Sequence, residues 1–204
     1  MPRKILTKPR KLPRQERSKV TVEAILTATA RILTEEGYDK ANTNRIAEVA
    51  GVSVGSLYQY FPNKESLIAA LAEHHADEMV QLVESHLKNL SNAPIQAVLH
   101  GLVRAAILAH AVNPALHKVL NEQVPRSDRM RQTAEAKMAA ILRAYLEKQR
   151  DQLQPQNLDL MVFIVGRTVE ALTHAAVIEQ PELLSSGQLE QEITQLVLSY
   201  LVKP

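Results

Sequence analysis

Residues 52–61, VSVGSLYQYF, concentrate hydrogen-bonding chemistry on a short stretch that contains a glycine. The chain has five tyrosines, two phenylalanines and no tryptophan, and three of these rings, Tyr58, Tyr60 and Phe61, fall within four positions just before Pro62. A packed core asks for one or two of them, and the others call for a surface that makes contacts. Ser53 is a good helix N-cap and Pro62 a stop, so a short helix is expected over about 54–60. Leu57 and Phe61 stand four apart and share the face that anchors it. Ser53, Val54, Gly55, Ser56, Tyr58, Gln59 and Tyr60 are left for its start and its other faces. Gly55 and Ser56 are small enough for close approach to DNA, and Val54 suits a thymine methyl. Ser56 and Gln59 can hydrogen-bond base edges. The hydroxyls of Tyr58 and Tyr60 can reach phosphates while their rings pack against the domain. Lys64 adds a charge on the same side. Upstream, Thr43 and Asn44 open another short helix where phosphate contacts also fall, and Arg45 is a candidate for a phosphate or a base.

The elements that must position these residues are all helical. Helices at about 43–50 and 54–60, joined by a three-residue turn, read as a helix-turn-helix over 42–61. Ala47 is small where the two must cross, Gly51 can take the positive φ of a sharp turn, and Ile46, Ala50 and Val52 can face inward. A preceding helix is expected from about Val20 to Glu36, with Val22, Ile25, Leu26, Thr29, Ile32 and Leu33 on one face and Gly37 as a left-handed cap. Asn63 caps a long helix to about Asn89, with Leu67, Leu71, Met79, Leu82, His86 and Leu90 mostly on one face. At 1.5 Å per residue it spans roughly 40 Å and could connect the front of the molecule to the rest. Further helices are expected near 94–111, 114–122, 126–153, 156–179 and 187–202, punctuated by prolines. No strand alternation and no internal repeat is found. The expectation is an all-α chain of about nine helices: a basic flexible arm at 1–17, a three-helix helix-turn-helix domain at 18–65, and a larger helical domain at 66–204.

Charge and composition narrow the partners. The net charge is +2, but residues 1–19 hold eight basic side chains and one acid, leaving the remaining chain at −5. A basic end on a mildly acidic body points to a polyanion partner there, or to a solvated tail. With no cysteine, disulfides and thiolate chemistry are excluded, which fits a reducing compartment and a cytoplasmic protein. No apolar run near the N-terminus suits a secretory signal, and the longest unbroken apolar stretch, 160–166, is too short for a membrane span.

Two other constellations invite chemistry. His74, His75, Asp77 and Glu78 lie close together, and His74 and Glu78 share a face as metal ligands can; the same run reads as an exposed charge cluster. No metal and no cofactor is expected. Arg167, Glu170 and His174 share a face at i, i+3 and i+7, suiting an ion-paired stripe, an interface or a pocket. His100, Arg104 and His110 are candidates to line a pocket from the helix after Pro94. No nucleophile elbow or phosphate loop is present, so an enzyme is not expected.

The run TNRIAEVAGVSVGSLYQYFPNKESLIAAL, residues 43–71, resembles the DNA-binding domain of the TetR family of bacterial repressors. The match rests on Thr43, Ile46, Ala47, residues 50–53, Gly55, Leu57, Tyr58, Tyr60, Phe61, Lys64 and Leu67, at several fixed spacings at once. Residues 24–47 look like the family's first helix and its Gly-Tyr loop. The resemblance covers roughly 18–75; the rest is similar in helical organisation and length. It implies a dimer that binds a pseudo-palindromic operator, with Thr43, Tyr58, Tyr60 and Lys64 at phosphate-contacting positions. Asn44, Val54, Gly55, Ser56 and Gln59 fall at positions that read bases or backbone, and Tyr38 is structural. Pro62 departs from the family pattern with little consequence. The basic arm extends beyond the usual start, to enter a minor groove or to raise non-specific affinity.

The resemblance further implies a small-molecule pocket in the C-terminal helices and a homodimer through the last two long helices. Gly166, Ala171, Ala175 and Ala176 suit close helix approach there, and Leu189, Ile193, Leu196, Val197, Tyr200 and Leu201 an apolar face, although intrachain packing needs the same residues. The expected function is a repressor released from DNA by a small molecule. A sequence-tolerant architectural DNA binder and a helical metal-dependent enzyme are the competing readings.

Overall fold

In the computed structural model, residues 16–88, 90, 93–122, 128–154 and 157–202 are described. Among them the chain forms ten α-helices and no strand: α1 Glu16–Glu36, α2 Thr43–Val49, α3 Val54–Tyr60, α4 Lys64–Lys88, α5 Ile95–Ala111, α6 Pro114–Glu122, α7 Asp128–Lys148, α8 Leu158–Glu179, α9 Leu183–Ser186 and α10 Gln188–Leu201. The all-α expectation holds, with one helix more than counted from sequence: the single turn α9, set off from α10 by Gly187 at φ 74°. Most of the basic arm expected at 1–17 lies outside the described residues, and residues 16 and 17 open α1.

The chain divides into two compact units, Met1–His75 with Ala115–Met130, and Ala76–Pro114 with Arg131–Pro204. In the first, α1 buries Ile25, Leu26, Thr29, Ile32 and Leu33, as its periodicity predicts. The buried Thr29 hydroxyl donates back to the Ile25 carbonyl at 2.7 Å. Gly37 ends α1 differently from the expected left-handed cap: φ 85° with ψ 171° is an extended, positive-φ conformation that belongs essentially to glycine. Ile46 and Ala47 of α2, Leu57 and Tyr60 of α3, Phe61, and Leu67, Ile68 and Leu71 of α4 complete this core, with Leu116, Val119 and Leu120 of α6. The start of α4 is fixed by a reciprocal cap. The Asn63 side-chain oxygen accepts from the Ser66 amide at 2.7 Å, and the Ser66 hydroxyl accepts from the Asn63 amide at 3.3 Å.

Further along α4, Val80 and Val83 are the buried positions and Met79 and Leu82 are half-buried, so the apolar face runs one residue away from the expected stripe. The second unit has its own core. Ile95, Leu99, Val103 and Ile107 of α5 meet Leu142 and Leu146 of α7, Met161, Val162 and Val165 of α8, and Ile193, Val197 and Leu201 of α10. An antiparallel bridge between Leu153 and Val202 ties the segment before α8 to the end of α10. By length and composition α8 is apolar enough to cross a membrane. It also carries Asp159, Arg167, Glu170, His174 and Glu179.

Candidate nucleic-acid interface

The turn between α2 and α3 is built by local chemistry. Asn42 accepts from the Arg45 amide at 3.0 Å to start α2, and Gly51 at φ 67° lets the chain reverse. The Ser53 hydroxyl then accepts from the Ser56 amide at 3.0 Å to start α3. On α3, Leu57 is fully buried, while Val54, Gly55, Tyr58 and Gln59 are exposed. The helix therefore presents a polar and small-residue face outward from an anchored back.

Two of the expected phosphate contacts come together on this surface. Thr43 at the start of α2 and Tyr58 on α3 hydrogen-bond through their hydroxyls at 3.1 Å, and Tyr58 is 40% exposed. The two hydroxyls hold two protons. One lies between the oxygens, so one remains to donate outward. Asn44 is exposed beside them. Ser56 is half-buried, and its hydroxyl pairs with that of Ser53 at 2.8 Å, within the cap.

Three other candidates are engaged within the subunit. Tyr60 is only 9% exposed and belongs to the core with Leu57 and Phe61. Its position three after Leu57 turns its ring to the same buried face. Arg45 is held by carboxylates: its guanidinium donates to Glu36 at 2.9 Å and to Glu48 at 3.2 Å. Those hydrogen bonds, that to Glu36 above all, raise its pKa further. Lys64 donates to the backbone carbonyl of Tyr38, and its ammonium lies 3.6 Å from the centre of the Tyr38 ring. Burial lowers the Lys64 pKa, against the pull of Asp39 and Glu65. Tyr38, read as structural, thus also seats a cation. Its own phenol is pushed up, mainly by burial.

Sequence reasoning missed Glu36 and Tyr38 as partners. Glu48 was visible as the i, i+3 neighbour of Arg45, but Glu36 reaches it from the end of α1, nine residues away. Within the run His74 to Glu78, read as candidate metal ligands or as an exposed charge cluster, His75 is buried. His75 of α4 faces His117 of α6, ring nitrogens 3.4 Å apart, both rings buried. Among the described residues no group of three or more His, Asp or Glu stands ready to hold a metal ion.

The six pocket candidates in the second unit separate into two pairs and two single residues. His110 of α5 and His174 of α8 come together edge to face, with centroids 6.1 Å apart. The His110 ring nitrogen Nδ1 lies 2.8 Å from the Ala106 carbonyl. Arg167 is instead a bridge, donating to Glu135 of α7 at 2.6 Å and to Glu170 at 2.8 Å. These bonds, that to Glu135 first, raise its pKa. His100 turns to Glu190 of α10 at 2.9 Å, and Arg104 is exposed. The buried Tyr145 hydroxyl and Thr194 Oγ1 have no hydrogen-bond partner among the described residues, and burial raises the Tyr145 pKa. On the outer side of α8, Leu160 and Phe163 are 50% and 61% exposed, and on α10 Leu196 is 52% exposed. A Cβ at Gly166 would meet nothing within 4 Å.

Comparison with known proteins bears on both halves. A family model described as "Bacterial regulatory proteins, tetR family" matches residues 25–71, and one described as "Tetracyclin repressor-like, C-terminal domain" matches residues 94–201. The fatty acid metabolism regulator protein of Bacillus subtilis is 30% identical over 69 residues, 34% of this chain and 36% of that protein, so the chain spans about a third of that relative. Among solved structures, the fatty acid degradation regulator FadR from Bacillus halodurans superposes with TM-score 0.70 at 22% identity, covering 87% of this chain and 94% of that one. SmeT, the repressor of the Stenotrophomonas maltophilia multidrug efflux pump SmeDEF, gives TM-score 0.68 at 24% identity over 92% of this chain and 93% of SmeT. Its complex with triclosan gives 0.67 at 22%, over 90% and 92%. At these identities the solved structures establish the shared fold.

Proposed function

This chain belongs to the TetR family of bacterial regulatory proteins, and from that premise we propose that it is a ligand-responsive transcriptional repressor. It binds a pseudo-palindromic DNA operator as a homodimer and acts in the cytoplasm without catalysing a reaction. The observation that carries the DNA reading is the outward face of α3. Val54, Gly55, Tyr58 and Gln59 are exposed from a helix whose back is fixed by the fully buried Leu57, with the Thr43–Tyr58 hydroxyl pair beside it. In this reading Tyr58 and Thr43 position the protein on phosphates, and Val54 and Gln59 read bases in the major groove.

The homodimer is assigned to α8 and α10. Leu160, Phe163 and Leu196 are large apolar side chains left outward, and Gly166 has no neighbour within its own subunit that requires a glycine. Two copies joined there hold their α3 helices one DNA turn apart, about 34–36 Å. The effector is assigned to the second unit, with His110 and His174 as its polar neighbours; His100, Arg104, Arg167 and Glu170 are left to surface and ion-pair roles. The names of the relatives, a fatty-acid regulator and a repressor solved with triclosan, make an apolar small molecule the first class to screen. Such a molecule releases DNA by binding the DNA-incompetent state more tightly, by about 5.5 kcal/mol for a near-complete switch. A mobility-shift titration with Tyr58→Phe and Gln59→Ala tests the α3 assignment, which fails if both variants bind DNA as the parent does.

A further inference from the structure

A threonine inside a helix has a local way to satisfy its hydroxyl. Thr29 and Thr173, both fully buried, donate to the carbonyl one turn earlier, at 2.7 and 2.8 Å. Thr194 of α10 is buried too, yet its Oγ1 has no hydrogen-bond partner among the described residues. Tyr145 of α7 shares that condition: its side chain packs against the core of the second unit, and its buried hydroxyl has no partner among the described residues. Thr194 is next in sequence to Ile193, and Tyr145 to Leu146, and both of those neighbours belong to that core. A buried polar atom left unpaired costs free energy, so each calls for a reason. A bound molecule that completes their hydrogen bonds supplies one.

The charge of that molecule follows from what else is buried. Among the described residues of this unit no Lys or Arg side chain is buried; the buried polar ones are His110, Thr173 and Thr194. The basic side chains pair near the surface instead, Lys137 with Asp77, Arg143 with Asp159, and Arg167 with Glu135 and Glu170. Arg150, half-buried, is already engaged by the chain itself. A carboxylate carried into this core would meet no uncommitted cation among the described residues, and a buried unpaired charge is costly. Burial raises the Tyr145 pKa, so the phenol stays protonated and donates, which suits a neutral oxygen.

Room beside these hydroxyls can come from α7. From residue 135 onward that helix buries only Leu142 and Leu146, and the exposed pairs Lys137–Asp77 and Arg143–Asp159 tie it to its neighbours. Pairs of that kind hold weakly in water, so α7 can shift to admit a guest.

We propose that the effector is an uncharged apolar molecule with a hydroxyl or carbonyl oxygen, held by hydrogen bonds to Tyr145 and Thr194 within the second unit, and that organic anions are excluded from this site. The inference rests on the ligand-responsive reading above.

The test is calorimetric titration of the full-length protein with three probes: decanol, hexylphenol and decanoate. Decanol and decanoate have the same chain length and differ in the charge of the head. At least one neutral probe should bind, about tenfold or more tighter than decanoate. Tyr145→Phe and Thr194→Val should each weaken that probe about 3- to 10-fold. The melting temperature of the free protein should hold or rise in both variants, because each change removes an unpaired polar atom. A hydroxyl with a merely structural role would behave in the opposite way. A melting temperature lowered by either change, or a probe affinity unchanged in both, overturns the inference. So does decanoate binding as tightly as the neutral probes, or no binding by either neutral probe. Decanoate that binds and releases DNA in a mobility shift would refute the ligand class while leaving the ligand-responsive reading intact. A parent protein that binds no DNA would instead sink the function proposal.

Discussion

Tyr58→Phe removes one oxygen from a surface that is 40% exposed and leaves the ring in place. Within the subunit that oxygen makes a hydrogen bond to Thr43 at 3.1 Å. An exposed neutral bond of this kind contributes about 1 kcal/mol or less to folding, so the melting temperature should barely move. In the proposed complex the same hydroxyl donates to a charged phosphate, and hydrogen bonds to charged groups contribute about 1.5–3 kcal/mol. The loss per subunit is then a factor of about 10–150, and at least about 100 for a dimer that loses both contacts. Because a phenol carries no charge, it releases no counterion. The plots of log affinity against log salt for parent and variant should be parallel, with operator and non-operator DNA weakened alike. Anisotropy titrations at several salt concentrations read all three quantities. An affinity within threefold of the parent would refute the assignment of Tyr58 to the DNA backbone. A changed slope would refute the reasoning that separates its hydroxyl from the charged contacts.

Other outcomes follow from the same geometry. Thr43→Val should cost about 0.5–1.5 kcal/mol of DNA affinity, and the double change with Tyr58→Phe should cost less than the sum, because the two hydroxyls share one outward proton; a double-mutant cycle in the same titration checks this. Gln59→Ala should leave non-operator binding intact and relax discrimination at one base pair by about 1–3 kcal/mol, read by titration against operators mutated singly. Phe163→Asp should convert the dimer to monomer in sedimentation. In that monomeric background Gly166→Ala should stabilise α8 by up to about 1 kcal/mol, since its Cβ meets nothing within the subunit, whereas in the parent it should weaken association.

The parts of this site that depend on neighbouring residues were legible in the chain. Gly51, Ser53 and Pro62 punctuate α2 and α3 by capping and backbone geometry alone, and the four-residue step from Leu57 to Phe61 gives the buried face. What depends on distant residues was not. The partner of Arg45 is Glu36, which only the angle between α1 and α2 brings near, and the seat of Lys64 is a carbonyl twenty-six residues earlier. The α4 stripe slipped by one position because a long helix packs on different neighbours along its length, so no single stripe describes it. His110 and His174 meet only because α5 packs against α8, a contact that no spacing within either helix encodes.

The central claim is a dimer that places two α3 helices on one DNA site, and footprinting on the DNA flanking the protein's own gene tests it most directly. The account predicts one protected pseudo-palindrome, with half-site centres one helical turn or a multiple of it apart, about 10–10.5 base pairs per turn. Protection should be lost when an effector is added. Diffuse protection with no symmetric site at protein concentrations that saturate the duplex would contradict it, and would favour a sequence-tolerant binder held by its basic segment alone.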